Sequence, residues 1–406
     1  MIKEKDKKNK KTKPSESKES SLLKDVDAAG MIAHQYGFTT ISSPKITNDD
    51  KTKSKQIKDL NSYPGETEDR TAIIRTFQDI GFAGVPQPPM LYFKKPLPGS
   101  DYKKKTSIDA CGLEIINVSR AVSEALIIKT AWTMLTEYGC SDMYVEINST
   151  GDKESFARFE RELHTYFRKN IHELSGELRQ KFKENNLNIL KSNEKECGDF
   201  YHNSPKPLGS LSEQSRIHFK EVLEFLESAG VPYQINNALI GNTNYSSHTI
   251  FEIIGKISKS APLTTLAYGG RYNYLAKKIG YKKDIHCCGA TVLCPKKPSS
   301  NKKIEYKIKP SKFYLVQLGN LAKLQTLNII ETLRSQNIMV HHSLTKENIG
   351  GQLASAEYLK VSHLLIVGQK EAIEKSVVVR STDIREQETV KMTELCSYLK
   401  KIMKGK

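Results

Sequence analysis

Two strand-like runs, residues 251–257 and 264–267, approach the pair Gly269-Gly270, which is followed by Arg271 and Tyr272. Their residue content fits strands. Paired glycines let a backbone come close to a ligand, because no Cβ stands in the way. The same pair is also compatible with a simple turn.

Helical spacing dominates the flanks. Residues 21–36 read as a helix leading into a short strand before Pro44, and residues 45–64 read as polar and irregular. A helix is expected over 66–79, with Ile73, Ile74 and Phe77 on one side, then strands over 87–93 and 108–116. A loop rich in Lys, Pro and Gly, ending at Lys105, separates those two strands. Residues 118–138 have helical apolar spacing and stop at Gly139, a natural C-terminal glycine. Residues 142–148 alternate as a strand. Residues 153–183 form a long charged amphipathic helical region, and 212–229 another helix.

Beyond a Lys/Pro/Ser stretch at 296–309, strands and helices alternate. Strands are expected at 313–318, 338–342, 363–368, 376–380 and 388–391. Helices are expected at 321–336, at 351–359 and at the C-terminus. This order predicts a small, largely parallel sheet covered on both faces.

The chain has 406 residues and a formal net charge of +17. Residues 1–22 form a Lys-rich tail that cannot bury enough apolar area to offset its ordering entropy, and it is expected to be disordered. The charge makes a polyanion partner plausible without identifying it. No apolar run approaches the ~20 residues that cross a bilayer. No hydrophobic stretch follows the basic N-terminus, so the expected location is cytoplasmic, with no membrane partner. The seven cysteines include no pair at CxxC spacing, so no metal site is expected.

Several segments belong together. Leu239-Ile-Gly-Asn-Thr-Asn-Tyr-Ser-Ser-His-Thr-Ile-Phe-Glu252 and Tyr268-Gly-Gly-Arg-Tyr-Asn-Tyr274, read in order, resemble the two histidine-binding segments of the histidyl-tRNA synthetase family. The region 36–44 resembles the dimer-interface segment of class II synthetases. Glu68 to Arg75 resembles the Glu-Gly-Thr segment ahead of motif 2, and Gly112-Leu-Glu114 the Gly-x-Glu that ends it. Asn148 to Gly151 and the helices after it resemble the family's insertion, and residues after 312 its anticodon-binding domain.

This resemblance implies an α+β class II synthetase core, an antiparallel sheet flanked by helices, followed by a small α/β anticodon-binding domain. The implied layout is a core over 23–298 with a helical insertion near 152–210, a linker over 299–311 and a module over 312–406. It implies tRNA as partner, a homodimer, and ATP with Mg if the protein is active. Implied histidine-binding residues are Glu68, Arg70, Glu114, Tyr245, Gly269, Gly270, Arg271 and Tyr272.

The phosphate side departs from the family pattern. The motif 2 Phe-Arg-x-Glu run is replaced by Leu91-Tyr-Phe-Lys-Lys-Pro96, and Ala110 replaces a glutamine. Gly241 replaces the arginine of the first histidine segment and Ser246 its second tyrosine. Gly289 to Lys296 lacks the Glu and Arg that end motif 3. Lys94, Lys95 and Lys296 are the candidate substitutes for binding nucleotide. Three readings follow. One is a synthetase-like protein that binds tRNA, with or without histidine, and whose adenylation is weak or lost. The second is an active histidine–tRNA ligase with a divergent ATP site. The third is a regulatory subunit similar to that of ATP phosphoribosyltransferase.

Overall fold

The computed structural model describes residues 25–59, 61–80, 88–95, 108–184, 187, 203–295, 306–307, 311–384 and 386–404. The expected tail disorder and the loop between the first two long strands lie outside these residues.

The chain opens with β1 (Asp25–Val26), α1 (Ala28–Gln35), β2 (Thr39–Thr40), α2 (Asn48–Ile57) and α3 (Glu66–Ile80). The first helix starts later than its spacing predicts, because Asp27 caps it by accepting from the Gly30 amide at 2.9 Å. The stretch expected to be irregular holds α2. Thr47 and Asp50 form a reciprocal capping box there, and Asp50 also accepts from Arg75 of α3. A polar sequence thus becomes helical through its cap and its packing on α3.

Next come β3 (Met90–Lys95), β4 (Ile108–Ile116), α4 (Val122–Glu137) and β5 (Ser141–Ser149). The charged region is two helices, α5 (Lys153–Lys169) and α6 (Gly176–Glu184), divided by a short 3-10 turn, Ile171–Glu173. The core ends with α7 (Glu213–Ser228), β6 (Tyr233–Ile235), β7 (Ser247–Lys256), β8 (Thr264–Arg271), α8 (Leu275–Lys278) and β9 (Cys287–Pro295).

These strands build one eight-stranded sheet in the order β2-β3-β4-β9-β8-β7-β5-β6. Its interior pairs are antiparallel, and only the two edge pairs, β2–β3 and β5–β6, are parallel. Alternation gives the sheet two unlike faces. Cys111, Leu113, Val145, Ile147, Ile253, Ala267, Ala290 and Val292 point into the main apolar core with α4 and α7. The opposite face carries the polar residues described below.

β10 (Tyr306–Lys307) pairs with β1. The C-terminal module follows with β11 (Phe313–Gln317), α9 (Asn320–Ser335), β12 (Val340–His342), α10 (Ile349–Tyr358), β13 (His363–Val367), α11 (Gln369–Glu374), β14 (Ser376–Ser381), β15 (Gln387–Lys391) and α12 (Met392–Met403). Its sheet, ordered β12-β11-β13-β14-β15, is mixed and not largely parallel, since β13–β14 and β14–β15 are antiparallel. The short helix α11 and the left-handed Lys375 turn the chain back too soon for a parallel crossover. Tyr36 ties the core to the module by donating its hydroxyl proton to Glu331 of α9, and the same oxygen shares a hydrogen bond with Thr133 of α4. Among the described residues no helix is long and apolar enough to cross a membrane.

Candidate functional site

Two rows of residues cross the polar face of the core sheet. One runs Glu146, Glu252, Tyr268, Thr291, Gly112 and Phe93 in cross-strand register. The other runs Asn148, Ile250, Gly270, Gly289, Glu114 and Leu91. Glycine is required where these rows are crowded. A Cβ on Gly289 would lie 1.9 Å from Glu114 Oε2, and one on Gly112 would lie 2.3 Å from the Phe93 ring. Gly269 is constrained likewise, because its Cβ would meet the Gly289 carbonyl at 2.2 Å. The glycine pair therefore serves strand packing as well as access to the cavity it lines.

Helix α3 lies over this face and presents Glu66, Thr67 and Arg70 to it. Arg70 pairs with Glu66 at 2.7 Å, and its guanidinium carbon lies 4.6 Å from the Tyr272 ring centre and 5.6 Å from that of Tyr245. Burial disfavours the cation, but Glu66 and the surrounding oxygens outweigh this and hold Arg70 firmly charged. Tyr245 hydrogen-bonds Thr67, and the Tyr272 hydroxyl donates to Glu114 at 2.6 Å. Burial pushes the Glu114 carboxyl up to about 8, against the pull of Tyr272 and Arg70. Beside this cluster lies a cavity of about 330 Å³, whose walls include Tyr63, Glu66, Arg70, Glu146, Gly241, Ser246, Glu252, Gly269 and Gly270.

The raised Glu114 value has a thermodynamic consequence. Between its ordinary value and about pH 8, the unfolded chain releases this proton while the folded chain keeps it, so stability falls as pH rises through that window. Glu114→Gln should therefore gain stability relative to the parent by more than about 1 kcal/mol between pH 5 and pH 8. Urea denaturation at the two pH values measures this; an unchanged difference would place Glu114 in its charged form.

The structure brings together Arg70, Glu114, Tyr245, Gly269, Gly270 and Tyr272. Arg271 is not among them. It passes to the opposite face, where Glu124 accepts from its Nε at 2.8 Å and the Val118 carbonyl from its Nη1 at 2.7 Å. Glu68 is also absent from the cavity wall. Two residues along a helix rotate a side chain about 200°, so Glu66 faces the cavity and Glu68 does not. One Glu68 oxygen is buried without a hydrogen-bond partner among the described residues. The two strand lysines point opposite ways. Lys94 reaches Asp27 at 2.8 Å on the far face, whereas Lys95 faces the site, bonded to Asp69 at 2.6 Å and Thr291 at 2.7 Å. Lys296 lies outside the described residues.

Sequence reasoning missed Tyr63, Glu66, Thr67 and Glu146 as site residues. Glu66 and Arg70 stand at i,i+4, a spacing that signals a helical ion pair. The Tyr63–Tyr268 stack, with ring centres 3.6 Å apart, and the Glu146–Glu252 pairing depend on contacts between distant segments.

A nucleoside triphosphate with Mg needs cations directed at its phosphates. The described residues do not fit that group well. Arg70 is the one cation among the described cavity-lining residues, and it is paired to Glu66; Lys95 is paired to Asp69. Among the described residues no group of three or more His, Cys, Asp or Glu could hold a metal ion.

Residues 312–402 match the family model described as an anticodon binding domain. The chain is similar to the histidine–tRNA ligase of Fervidobacterium nodosum, 26% identical over 386 residues, covering 88% of this chain and 89% of that protein. It is likewise similar to that of Halothermothrix orenii, 27% identical over 346 residues, covering 83% and 81%. Among solved structures, apo histidyl-tRNA synthetase of S. aureus superposes with a TM-score of 0.50 at 21% identity, covering 91% of this chain and 92% of that one. That last likeness concerns the fold.

Proposed function

The chain belongs to the histidyl-tRNA synthetase family, and from that premise we propose that it binds tRNA while its histidine adenylation is weak or lost. The carrying observation is Arg70. Its guanidinium lies against Tyr245 and Tyr272, the tyrosines that the family resemblance assigns to the histidine pocket, and Glu66 holds it there. An amino-acid side chain entering this space would have to displace a buried ion pair.

The phosphate side supports the same reading. Cationic donors preorganised around developing charge are each worth roughly 10²–10³ in rate. Here Gly241 lines the cavity where the resemblance expects an arginine, and Lys95 is neutralised by Asp69. Phosphate recognition in this reading rests with the anticodon-binding module, which would read unpaired bases and backbone phosphates. A homodimer belongs to the proposal through the interface-like segment 36–44; a monomer in sedimentation at micromolar concentration would remove that part.

Histidine-dependent ATP–pyrophosphate exchange, run beside salt-dependent tRNA binding, tests the reading. The expected result is binding without exchange. Exchange together with charging of tRNA would instead favour an active ligase with a divergent ATP site. Gly241→Arg is expected not to restore exchange. Gly241 has φ +69, and its Cβ would lie 3.0 Å from Ser246 Oγ and 3.2 Å from Ile250. Arginine there should cost about 1–2 kcal/mol, so a lowered melting temperature without new exchange is the predicted pair of outcomes.

A further inference from the structure

The cavity beside Arg70 has an electrostatic imbalance. Glu66, Glu146 and Glu252 line it against the single guanidinium of Arg70, which is already paired with Glu66. Glu146 and Glu252 stand directly opposite each other across β5 and β7. Like charges so placed are destabilising on their own. Their partners among the described residues are neutral. Gln234 and Asn236 donate to Glu146 at 3.1 and 2.6 Å, while Thr265, at 3.1 Å, and Tyr63 donate to Glu252. Burial, reinforced by the neighbouring Glu146 charge, holds the Glu252 carboxyl above its ordinary value, as expected of an acid that lacks a counter-cation.

A second observation comes from Asn148. It follows Glu146 by two residues, so both lie on the cavity side of the strand. It is fully buried, and its amide nitrogen donates to the carbonyl of Leu239, a cavity-wall residue, at 2.9 Å. Its Oδ1 has no partner among the described residues. A buried acceptor without a donor costs about 1–3 kcal/mol. The described cavity wall therefore offers negative charge, and its one cation, Arg70, is already paired with Glu66.

We propose that this cavity binds a small organic ammonium carrying no carboxylate. The ammonium donates to Glu146 and Glu252, and the apolar body lies beside the stacked Tyr63 and Tyr268 rings. A cavity of about 330 Å³ suits a ligand of this size. A carboxylate is excluded because no lining cation among the described residues is left unpaired to receive it. A hard metal ion takes 6–8 oxygen ligands, more than two carboxylates supply, and the described residues contain no metal-binding group of three. The inference goes beyond the proposed function and stands whether or not histidine is activated.

The test is titration calorimetry of the full chain at pH 7 with histamine, 1,4-diaminobutane, histidine and MgCl₂. Histamine and histidine differ only by the carboxylate. At least one amine is expected to bind tenfold or more tighter than histidine. Glu146→Gln/Glu252→Gln should weaken that amine at least tenfold while its melting temperature stays equal or rises, because a repulsion is removed. Should the double variant fail to fold, Glu252→Gln alone is expected to give at least a threefold weakening. Histidine binding as tightly as both amines would overturn the proposal. So would saturable Mg²⁺ binding that the glutamine variants abolish, unchanged amine affinity in those variants, or no binding by either amine. Failure of the proposed function is read separately, by pyrophosphate exchange.

Discussion

Glu124→Ala is expected to lower folding stability by about 3–5 kcal/mol, the usual cost of leaving a buried charge without its partner. Glu124 is completely buried on α4 and accepts from Arg271 Nε and Nη2 at 2.8 and 2.5 Å, with His218 at 2.6 Å. Arg271 is also fully buried, and its remaining bonds go to the Val118 and Arg120 carbonyls and the Ser123 hydroxyl. Alanine would leave this guanidinium with neutral partners only. Urea denaturation measures the loss, and a change under about 1 kcal/mol would show that water or a rearrangement compensates the charge. Glu124→Leu/Arg271→Met should recover much of the loss, because a buried ion pair replaced by matched apolar groups is often neutral.

The same pair makes a pH prediction. Burial opposes the Glu124 charge, but Arg271 and His218 outweigh it and hold the carboxyl well below the usual range. A depressed folded-state value contributes stability that is complete above the unfolded value and is lost as pH falls toward the folded one. Acid unfolding of the parent should therefore steepen below about pH 4.5, and Glu124→Ala should flatten that limb.

The second large effect is expected at Arg70. Arg70→Thr alone should destabilise by about 3–5 kcal/mol, since Glu66 is nearly buried and would lose its cation. Arg70→Thr/Glu66→Gln removes the charge problem and empties the space between Tyr245 and Tyr272. Histidine should then bind at least about tenfold tighter than to the parent, a gain of ~1.4 kcal/mol. Calorimetry with histidine decides between the alternatives. If the parent binds histidine as well as the double variant, Arg70 does not block the pocket. Pyrophosphate exchange should stay low in both, because the cations on the phosphate side are not restored.

Residues 108–116 show how far local pattern carries. They read as a strand, and β4 has those bounds. α3, with Ile73 and Ile74 buried, follows its apolar spacing equally well. Where polar caps replace apolar periodicity the reading failed, as at α2, whose Thr47–Asp50 box was the overlooked signal. The parallel reading of the terminal sheet failed for another reason. Strand order and direction depend on how the short segment at 369–375 turns, and strand propensity carries no information about that.

The site divides along the same line. Sequence alone offered a glycine pair, two tyrosines and Glu114 as parts of one family-like site, because those residues are recognisable by type and order, and the structure places them near one another. It also raised the expectation that Gly241 and the lysine-containing 91–96 run stand where the resemblance would put arginines. Only the tertiary structure decided which charges meet. Arg271 follows the glycines in sequence, yet it pairs with Glu124, 147 residues away, on the opposite face of the sheet. Arg70, already expected in the pocket from the resemblance, is paired there with Glu66. The physical reason is that periodicity fixes the direction of a side chain within its own element, whereas a buried charge settles where another segment supplies the opposite charge. That partner is set by the packing of the whole sheet.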